Sequence, residues 1–180
     1  MGVRAVFLVG FMGSGKNTVG QELARRLGWD FVDLDARIEQ RERRTVPEIF
    51  AAKGETIFRQ AETAALRDVL AESKDCNRVV ALGGGAFAIE HNRVLLRDWP
   101  TVFLDAPVAE LWRRCQQDDI ERPLGKDRRQ FSSLLAERLP LYRQAAFTIE
   151  TSGKKLSWIC SEIERALHLK EVPQSVEESL

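Results

Sequence analysis

The segment from Gly10 to Thr18, which reads Gly-Phe-Met-Gly-Ser-Gly-Lys-Asn-Thr, constrains the fold more than any other part of the chain. It directly follows the apolar run at residues 5–9, and its glycines allow backbone angles that a side chain forbids. Loop amides, together with the positive end of a helix beginning near Lys16, can then surround phosphate oxygens. The pattern therefore predicts a site for a nucleoside triphosphate, and the alternative is a glycine-rich turn that binds nothing.

One position departs from the usual form of this motif, G-x-x-x-x-G-K-[ST], because Asn17 stands where a serine or threonine is expected. The usual hydroxyl contacts magnesium. The amide oxygen of Asn17 is an acceptable hard ligand, although it is neutral and lies on a longer side chain. Thr18 lies about 100° further round the helix and cannot take over that role unaided.

Composition excludes several classes of protein. The chain has 180 residues, which suits one domain, and its 27 Lys and Arg balance 27 Asp and Glu, so nothing suggests a general nucleic-acid binder. Three cysteines without C-x-x-C spacing and two histidines argue against a disulfide framework, a zinc site or a histidine-based triad. With neither a signal-peptide pattern nor a membrane-length apolar run, the protein is expected to be soluble and cytoplasmic.

Short apolar runs alternate with helix-like patterns along the chain. The five predicted strands are nearly continuous in apolar character, as parallel strands covered on both faces are: 5–9, 31–32, 79–82, 101–104 and 147–149. Repeated strand–helix units predict a right-handed, doubly wound α/β fold. One helix is expected to begin at the capping box Thr45-x-x-Glu48 and to stop at Gly54.

Two segments do not follow this alternation. The segment 116–130 is dense in charge and contains Pro123 and Gly125, so it is either a loop that closes over a nucleotide or a plain solvated connection. Residues 171–180 are polar and are predicted to form a loose tail.

Asp33 and Asp35 stand at the predicted end of the second strand. Because residues two apart on a strand point the same way, both carboxylates are expected to face one side of the sheet, at the edge where ligands of open α/β sheets bind. One acid can hold a magnesium shell while the other accepts a proton from an attacking hydroxyl. The alternative is that both acids cap the helix that follows. The preceding phosphate loop favours the catalytic interpretation.

Further candidates are arginines and glycines. Arg59 and Glu62 lie one helical turn apart, either as a surface ion pair or as an arginine held ready to grip a substrate carboxylate. Arg122 lies in the charged segment, from which it can reach a transferring phosphate, and Arg138 is a further cation near a helix end. The alternative is that each is a solvated surface residue. The triple glycine at 83–85 indicates either a close approach of a ligand to the backbone or a flexible turn.

Taken in this order, the motifs resemble those of the shikimate kinase family, from about residue 5 to about residue 167. They comprise the loop up to Lys16, Asp33-Leu-Asp35, Gly54-Glu-x-x-Phe-Arg59-x-x-Glu62, the triple glycine, Arg122-Pro-Leu and Arg138-x-Pro-Leu-Tyr142. The resemblance implies an α/β fold similar to the P-loop nucleoside monophosphate kinases: a three-layer sandwich with a five-stranded parallel sheet and a mobile lid, in one domain at 1–170. It also implies transfer of the γ-phosphoryl group of ATP to the 3-hydroxyl of shikimate, on the route to chorismate and the aromatic amino acids.

The resemblance assigns the nucleotide side to particular residues. The ATP phosphates would be held by the loop residues Gly13, Ser14, Gly15, Lys16, Asn17 and Thr18. Mg²⁺ would be held by Asn17 and Asp33. Arg114 would stack near adenine, Lys155 would lie by the nucleotide, and Arg122 would close onto ATP from the lid.

On the acceptor side, the resemblance implies that Asp35 binds hydroxyls of shikimate and helps to activate the attacking one, so that Asp35, Lys16 and Arg122 carry catalysis. Arg59 and Arg138 would bind the shikimate carboxylate, and a Gly84 amide would lie near a hydroxyl. The expected partners are therefore the small molecules shikimate and ATP, with no nucleic acid, no membrane and a monomeric protein.

Two other functions compete with this one. A related kinase of small alcohols, such as gluconate, would share the phosphate loop, but the pair Arg59 and Arg138 with Asp35 favours a cyclic hydroxy acid. A non-catalytic relative that binds a nucleotide or a partner is favoured only by Asn17, and the remaining candidate residues argue against it.

Overall fold

The computed structural model describes residues 3–117 and 127–169. In this part of the chain, five strands are separated by one or two α-helices each, in keeping with the repeated strand–helix units that the sequence predicts. The strands are β1 (Ala5–Val9), β2 (Asp30–Asp33), β3 (Arg78–Ala81), β4 (Thr101–Asp105) and β5 (Phe147–Glu150). The helices are α1 (Lys16–Leu27), α2 (Leu34–Glu42), α3 (Val46–Glu72), α4 (Glu90–Leu95), α5 (Val108–Gln117), α6 (Arg128–Tyr142) and α7 (Leu156–Ala166).

The strands form one parallel sheet in the order β2-β3-β1-β4-β5. β1 lies at the centre, where Leu8 pairs with Ala81 of β3 and with Val102 of β4. The chain leaves β1, crosses to β2 at one edge, and later returns through β4 to the other edge. The strand order thus reverses beside β1, which is where ligands of open α/β sheets bind. The predicted α/β class with a five-stranded parallel sheet is confirmed.

Alternate residues of β1 face two different apolar cores, because successive side chains on a strand point to opposite sides. Phe7 and Val9 pack into the larger core, with α3 and α6. Val6 and Leu8 pack into the smaller core, with α1 and α7. The central strand is therefore covered on both faces, as its continuous apolar run predicts.

The break at Gly54 agrees with the prediction, whereas a later boundary does not. Gly54 has a positive φ of 79° with ψ 171°, so one helical stretch of α3 ends there and a second begins at once. The segment 116–130 is not one continuous loop, because α5 extends to Gln117 and α6 begins at Arg128, where Asp127 caps it. Helical propensity at both ends therefore shortens the predicted loop, and residues 118–126 lie outside the described residues.

None of the helices within 3–117 and 127–169 has both the length and the apolar composition needed to cross a bilayer.

Candidate active site

The loop between β1 and α1 has the backbone that its glycines predict. Gly13 and Gly15 are in the left-handed region, with φ of 78° and 87°, and α1 begins at Lys16. The Lys16 ammonium donates hydrogen bonds to the carbonyl oxygens of Gly10 (2.8 Å) and Phe11 (3.0 Å) and so lies over the loop. The Ser14 hydroxyl is buried without a hydrogen-bond partner among the described residues. A polar atom left unpaired in this way is what a loop built for a polar ligand presents.

α5 packs directly against this loop. A Cβ on Gly13 would lie 2.7 Å from the carbonyl oxygen of Leu111 and 2.8 Å from the sulfur of Cys115, so only glycine fits. Arg114 Nη1 donates to the carbonyl oxygen of Gly13 at 3.4 Å. Arg114, which the sequence places near the nucleotide, is therefore beside the phosphate loop.

Asp33 caps α2 and contacts Asn17. Its Oδ1 accepts hydrogen bonds from the backbone amides of Asp35 (2.9 Å) and Ala36 (3.3 Å), and its Oδ2 accepts one from Asn17 Nδ2 at 2.6 Å. The capping alternative is therefore correct for Asp33. The structure also joins the two predicted metal-binding residues, although it is the nitrogen of Asn17 that faces the carboxylate.

Asp35 requires a correction, because the strand ends at Asp33 and Asp35 is the second residue of α2. The argument from alternation along a strand is therefore wrong, and the helical turn at the end of β2 decides where this carboxylate lies. Its Oδ1 is buried without a hydrogen-bond partner among the described residues. Burial, and then the neighbouring Asp33 carboxylate, raise the pKa of Asp35 to about 6, against the attraction of Lys16. The Lys16 ammonium is thus close enough to act on Asp35.

The triple glycine after β3 packs directly against charged side chains. A Cβ on Gly83 would lie 2.4 Å from Asp35 Oδ1 and 2.9 Å from Glu62 Oε1, and one on Gly85 would lie 2.4 Å from Arg59 Nη1. A Cβ on Gly84 would meet only ordinary contacts, 3.8 Å from Arg138 Nη1 and 4.0 Å from the Met12 amide nitrogen. Close approach explains Gly83 and Gly85, although the approaching groups are the protein's own charged side chains.

Arg59 is held from several sides. Its Nη1 donates to Glu62 Oε2 at 2.8 Å, its Nε donates to Glu55 Oε1 at 3.3 Å, and its guanidinium lies 5.2 Å from the centre of the Phe58 ring. Glu62 is only 1% exposed, so the alternative of a surface ion pair is wrong. Burial raises the pKa of Glu62 to about 7, opposed by Arg59.

Arg138 and Tyr142 meet at the same backbone oxygen. Arg138 Nη1 donates to the carbonyl oxygen of Gly84 at 3.1 Å, and the Tyr142 hydroxyl donates to it as well. Burial raises the pKa of Tyr142 to about 12, so this hydroxyl remains a donor. The last turns of α6 thereby hold the backbone of Gly84, the middle residue of the triple glycine, in place.

A cavity of about 950 Å³ opens beside these residues. Arg59 and Arg138 both line it, together with Gly85, Leu134 and Glu137. Two guanidinium groups on one cavity wall favour a ligand with a carboxylate, because the planar fork of arginine pairs with both oxygens.

Three of the predicted site residues have no described side-chain contact with the phosphate loop or with the residues around the triple glycine. Arg122 lies outside the described residues. Lys155 is exposed at the residue that precedes α7, and no hydrogen bond or ion pair among the described residues links it to the phosphate loop. Thr18 is exposed in the first turn of α1, next to Asn17.

Sequence reasoning missed two residues that organise the site. In the sequence Tyr142 is only part of a motif and Glu62 only a possible partner of Arg59, because residue type alone does not show that a hydroxyl or a carboxylate is buried. The signal that was available is spacing: both lie one helical turn from an arginine of the site, three residues from Arg59 and four from Arg138.

Comparisons with known proteins agree on one family. The model of the family described as "Shikimate kinase" matches residues 12–168. A shikimate kinase of Persephonella marina is 41% identical over 163 residues, which cover 89% of this chain and 97% of that protein.

Solved structures give the same result. The shikimate kinase of Acinetobacter baumannii in complex with shikimate superposes with a TM-score of 0.84 at 36% identity, over 93% of this chain and 95% of that one. A gluconokinase from Sinorhizobium meliloti superposes with a TM-score of 0.58 at 18% identity, over 91% of each chain, and this likeness extends to the fold alone.

Proposed function

The chain belongs to the shikimate kinase family, and from that premise we propose how its own residues carry out the reaction. The reaction is the transfer of the γ-phosphoryl group of ATP to the 3-hydroxyl of shikimate, which gives shikimate 3-phosphate and ADP. The chain is accordingly a kinase of small molecules.

One observation supports the assignment of the acceptor pocket. Asp35, Arg59 and Arg138 meet on three successive glycines, and the middle glycine adjoins the Met12 amide of the phosphate loop. A carboxylated cyclic polyol needs cations for its acid group and an acceptor for its hydroxyls. Arg59 and Arg138 line the cavity and supply the cations, and Asp35, which lies against Gly83, supplies the acceptor. Arg59 and Arg138 bind the shikimate carboxylate, and the Gly84 amide lies near a hydroxyl.

Asp35 is the proposed acceptor of the proton from the attacking hydroxyl. Its pKa of about 6 leaves it ionised at neutral pH, yet makes it a stronger base than an exposed aspartate. Its buried Oδ1 has no hydrogen-bond partner among the described residues, so its capacity to accept a hydrogen bond is unused. Lys16 lies over the phosphate loop and stabilises negative charge on the transferring group.

The nucleotide is proposed to lie along the loop residues from Gly13 to Thr18, with Arg114 beside its base. Lys155 remains a prediction on this side. The predicted closure of Arg122 onto ATP also remains a prediction, because this residue lies outside the described ones.

Magnesium fits the residues next to the loop. Within the described residues no three His, Cys, Asp or Glu side chains converge on a metal position. The oxygen-bearing side chains of Asp33 and Asn17 nevertheless adjoin each other beside the phosphate loop. Mg²⁺ suits such a place, because it is usually bound by one or two carboxylates plus substrate phosphates and water. Asp33 and Asn17 would hold it, and the ion would neutralise charge on the phosphates.

The remaining proposals concern the setting of the enzyme. We expect a monomer that acts in the cytoplasm, without nucleic acid or a membrane, and that consists of one domain at 1–170 followed by a polar tail at 171–180.

A substrate panel tests the proposed function. Purified protein with Mg-ATP is offered shikimate, quinate, gluconate or a nucleoside monophosphate, and ADP release is followed with a coupled assay. We expect turnover with shikimate, because the two arginines and Asp35 match its carboxylate and hydroxyls. Omission of magnesium is expected to abolish that turnover.

The panel also separates the competing functions. Preference for gluconate would reassign the acceptor pocket. ADP binding without turnover of any acceptor would indicate a non-catalytic relative, in keeping with the unusual Asn17.

A further inference from the structure

One carboxylate links two elements on the nucleotide side of the sheet. Glu110, in the first turn of α5, accepts a hydrogen bond from Arg114 Nη2 on one oxygen and from the Ser152 hydroxyl on the other. Ser152 lies between β5 and α7. The side chains of Glu110 and Arg114 are 19% and 28% exposed, so this contact is largely shielded from solvent.

The link continues to the phosphate loop. Arg114 uses Nη2 for Glu110 and Nη1 for the carbonyl oxygen of Gly13. Gly13 itself fits against α5 so closely that no side chain could be accommodated there. Ser152, Glu110, Arg114 and Gly13 therefore form a continuous chain of contacts from the loop after β5 to the loop after β1.

The sheet order indicates what this chain of contacts surrounds. The acceptor residues Asp35 and Gly83 follow β2 and β3, on one side of β1. Attacking and leaving oxygens lie roughly in line across a transferring phosphoryl group, so acceptor and nucleoside must lie on opposite sides of it. The nucleoside therefore extends towards β4 and β5, where Arg114 and Ser152 lie.

We propose that Glu110 is a positioning residue for the nucleotide base: by holding Arg114 and Ser152 at once, it sets the width of the slot between α5 and the loop after β5. The inference rests on the proposed function, because it requires the phosphate loop to bind a nucleotide. Glu110 does not itself contact the nucleotide, and it acts through the two residues that it holds.

The charge of Glu110 suits this role. The hydrogen bond from Ser152 and the neighbouring Arg114 hold the pKa of Glu110 below its ordinary value, against the effect of burial. Ionised, it accepts from both partners. A glutamine of the same shape is neutral and presents one oxygen and one nitrogen, so Glu110→Gln loses the charged hydrogen bond with Arg114 and can keep Ser152 only if the amide donates to the hydroxyl.

The test uses the full chain and measures binding before turnover. Affinities of Glu110→Gln for ADP and for GDP are compared with wild type by titration calorimetry, and kcat and both KM values are then measured with Mg-ATP and shikimate. Glu72→Gln is the matched control, since Glu72 likewise accepts from two side chains, those of Arg37 and Arg78, but at the end of β3 remote from the triple glycine.

We expect Glu110→Gln to weaken ADP binding by about tenfold, the effect of one lost charged hydrogen bond. The KM for ATP is expected to rise as ADP binding weakens. The ratio of the affinities for ADP and GDP is expected to fall, because a looser slot discriminates less between bases. In contrast, kcat and the KM for shikimate stay within about twofold of wild type, and Glu72→Gln changes none of these values.

Either of two results would overturn the proposal. One is a folded Glu110→Gln protein with unchanged ADP affinity and base preference, and the other is a loss of kcat with no change in nucleotide binding. Ser152→Ala is the second variant, which removes one hydroxyl and leaves Glu110 in place. In the double variant, the loss of ADP affinity is expected to be smaller than the sum of the two single losses, because both substitutions break the same link. Full additivity in the double variant would contradict the proposal.

Wild-type behaviour separates this proposal from the proposed function. Absence of ADP binding or of shikimate turnover in the wild type would count against the function itself. Normal wild-type binding with an unaffected Glu110→Gln would count against the positioning role alone.

Discussion

At the scale of single residues, burial decides the chemistry of the two acids beside Gly83. Asp35 and Glu62 both place a buried oxygen against this glycine, and their pKa values rise to about 6 and about 7. Desolvation disfavours a carboxylate, and a neighbouring acid adds to each shift: Asp33 raises the pKa of Asp35, and Asp35 raises the pKa of Glu62. The cations Lys16 and Arg59 limit these shifts.

Asp35→Asn removes the proposed base and keeps the shape of the side chain. We expect kcat to fall more than about tenfold, because positioned general bases contribute at least that much, while ADP affinity measured by calorimetry stays close to wild type. Unchanged turnover would remove Asp35 from the mechanism.

Glu62→Gln tests, through the pH dependence of stability, whether burial raises the pKa of Glu62. The ordinary pKa of Glu62 is 4.5 and the folded value is about 7, so the folded state holds the proton more tightly than the unfolded state. The wild type therefore loses stability as the pH rises from about 4.5 through about 7, and glutamine, which does not titrate, avoids this loss. We expect the difference in Tm, variant minus wild type, to be larger at pH 8.5 than at pH 4. A difference independent of pH, measured by thermal unfolding in matched buffers, would contradict the shift.

At the scale of elements, the turn after β3 brings α2, α3 and α6 together. Gly83 contacts Asp35 of α2 and Glu62 of α3, and Gly84 accepts hydrogen bonds from Arg138 and Tyr142 of α6. Three helices thus deliver their charged groups to one short backbone segment. Its lack of side chains allows that approach.

Gly85→Ala tests this arrangement. The added Cβ would lie 2.4 Å from Arg59 Nη1 and 2.5 Å from Nη2, and the end of a flexible side chain moves more easily than backbone. We therefore expect a folded protein whose KM for shikimate rises about tenfold or more, because the displaced guanidinium loses its grip on the carboxylate. Gly84→Ala is the comparison: its Cβ meets only contacts of 3.8 Å or longer, so its effect on KM should be smaller. If Gly84→Ala and Gly85→Ala raise the KM for shikimate equally, the close contact with Arg59 is not the reason that a glycine is needed at position 85.

At the scale of the whole molecule, the strand order separates the two proposed substrate sites. Residues that follow β2 and β3 form the proposed acceptor pocket, whereas α5 and the loop after β5 lie on the other side of β1. Both halves meet at β1, where Lys16 and Met12 adjoin Asp35 and Gly84.

Arg59→Lys should reveal this separation in thermal unfolding. A ligand raises Tm according to its affinity for the folded state. The rise that ADP causes should be the same in the variant and in the wild type, since Arg59 lies on the acceptor side. The rise that shikimate causes should shrink, because a point charge replaces a bidentate fork. A reduced shift with ADP would show that the two sites are not independent.

Much of this could be predicted from the sequence because the relevant signals are local. A glycine-rich turn between an apolar strand and a helix predicts the phosphate loop, and continuous apolar runs predict buried parallel strands, all five of which are present within about one or two residues of their predicted bounds. The family resemblance rests on motifs of the same local kind.

Only the tertiary structure decided how the charged residues act. It shows that Glu62 is a buried acid and not a surface partner, and that Asp35 lies in a helix and not on a strand. It also shows that Glu110 joins Arg114 to Ser152, a contact between residues distant in sequence. The physical reason is that pKa, desolvation and close contact arise from the groups that surround a side chain, whereas backbone propensity is written in the few residues next to it.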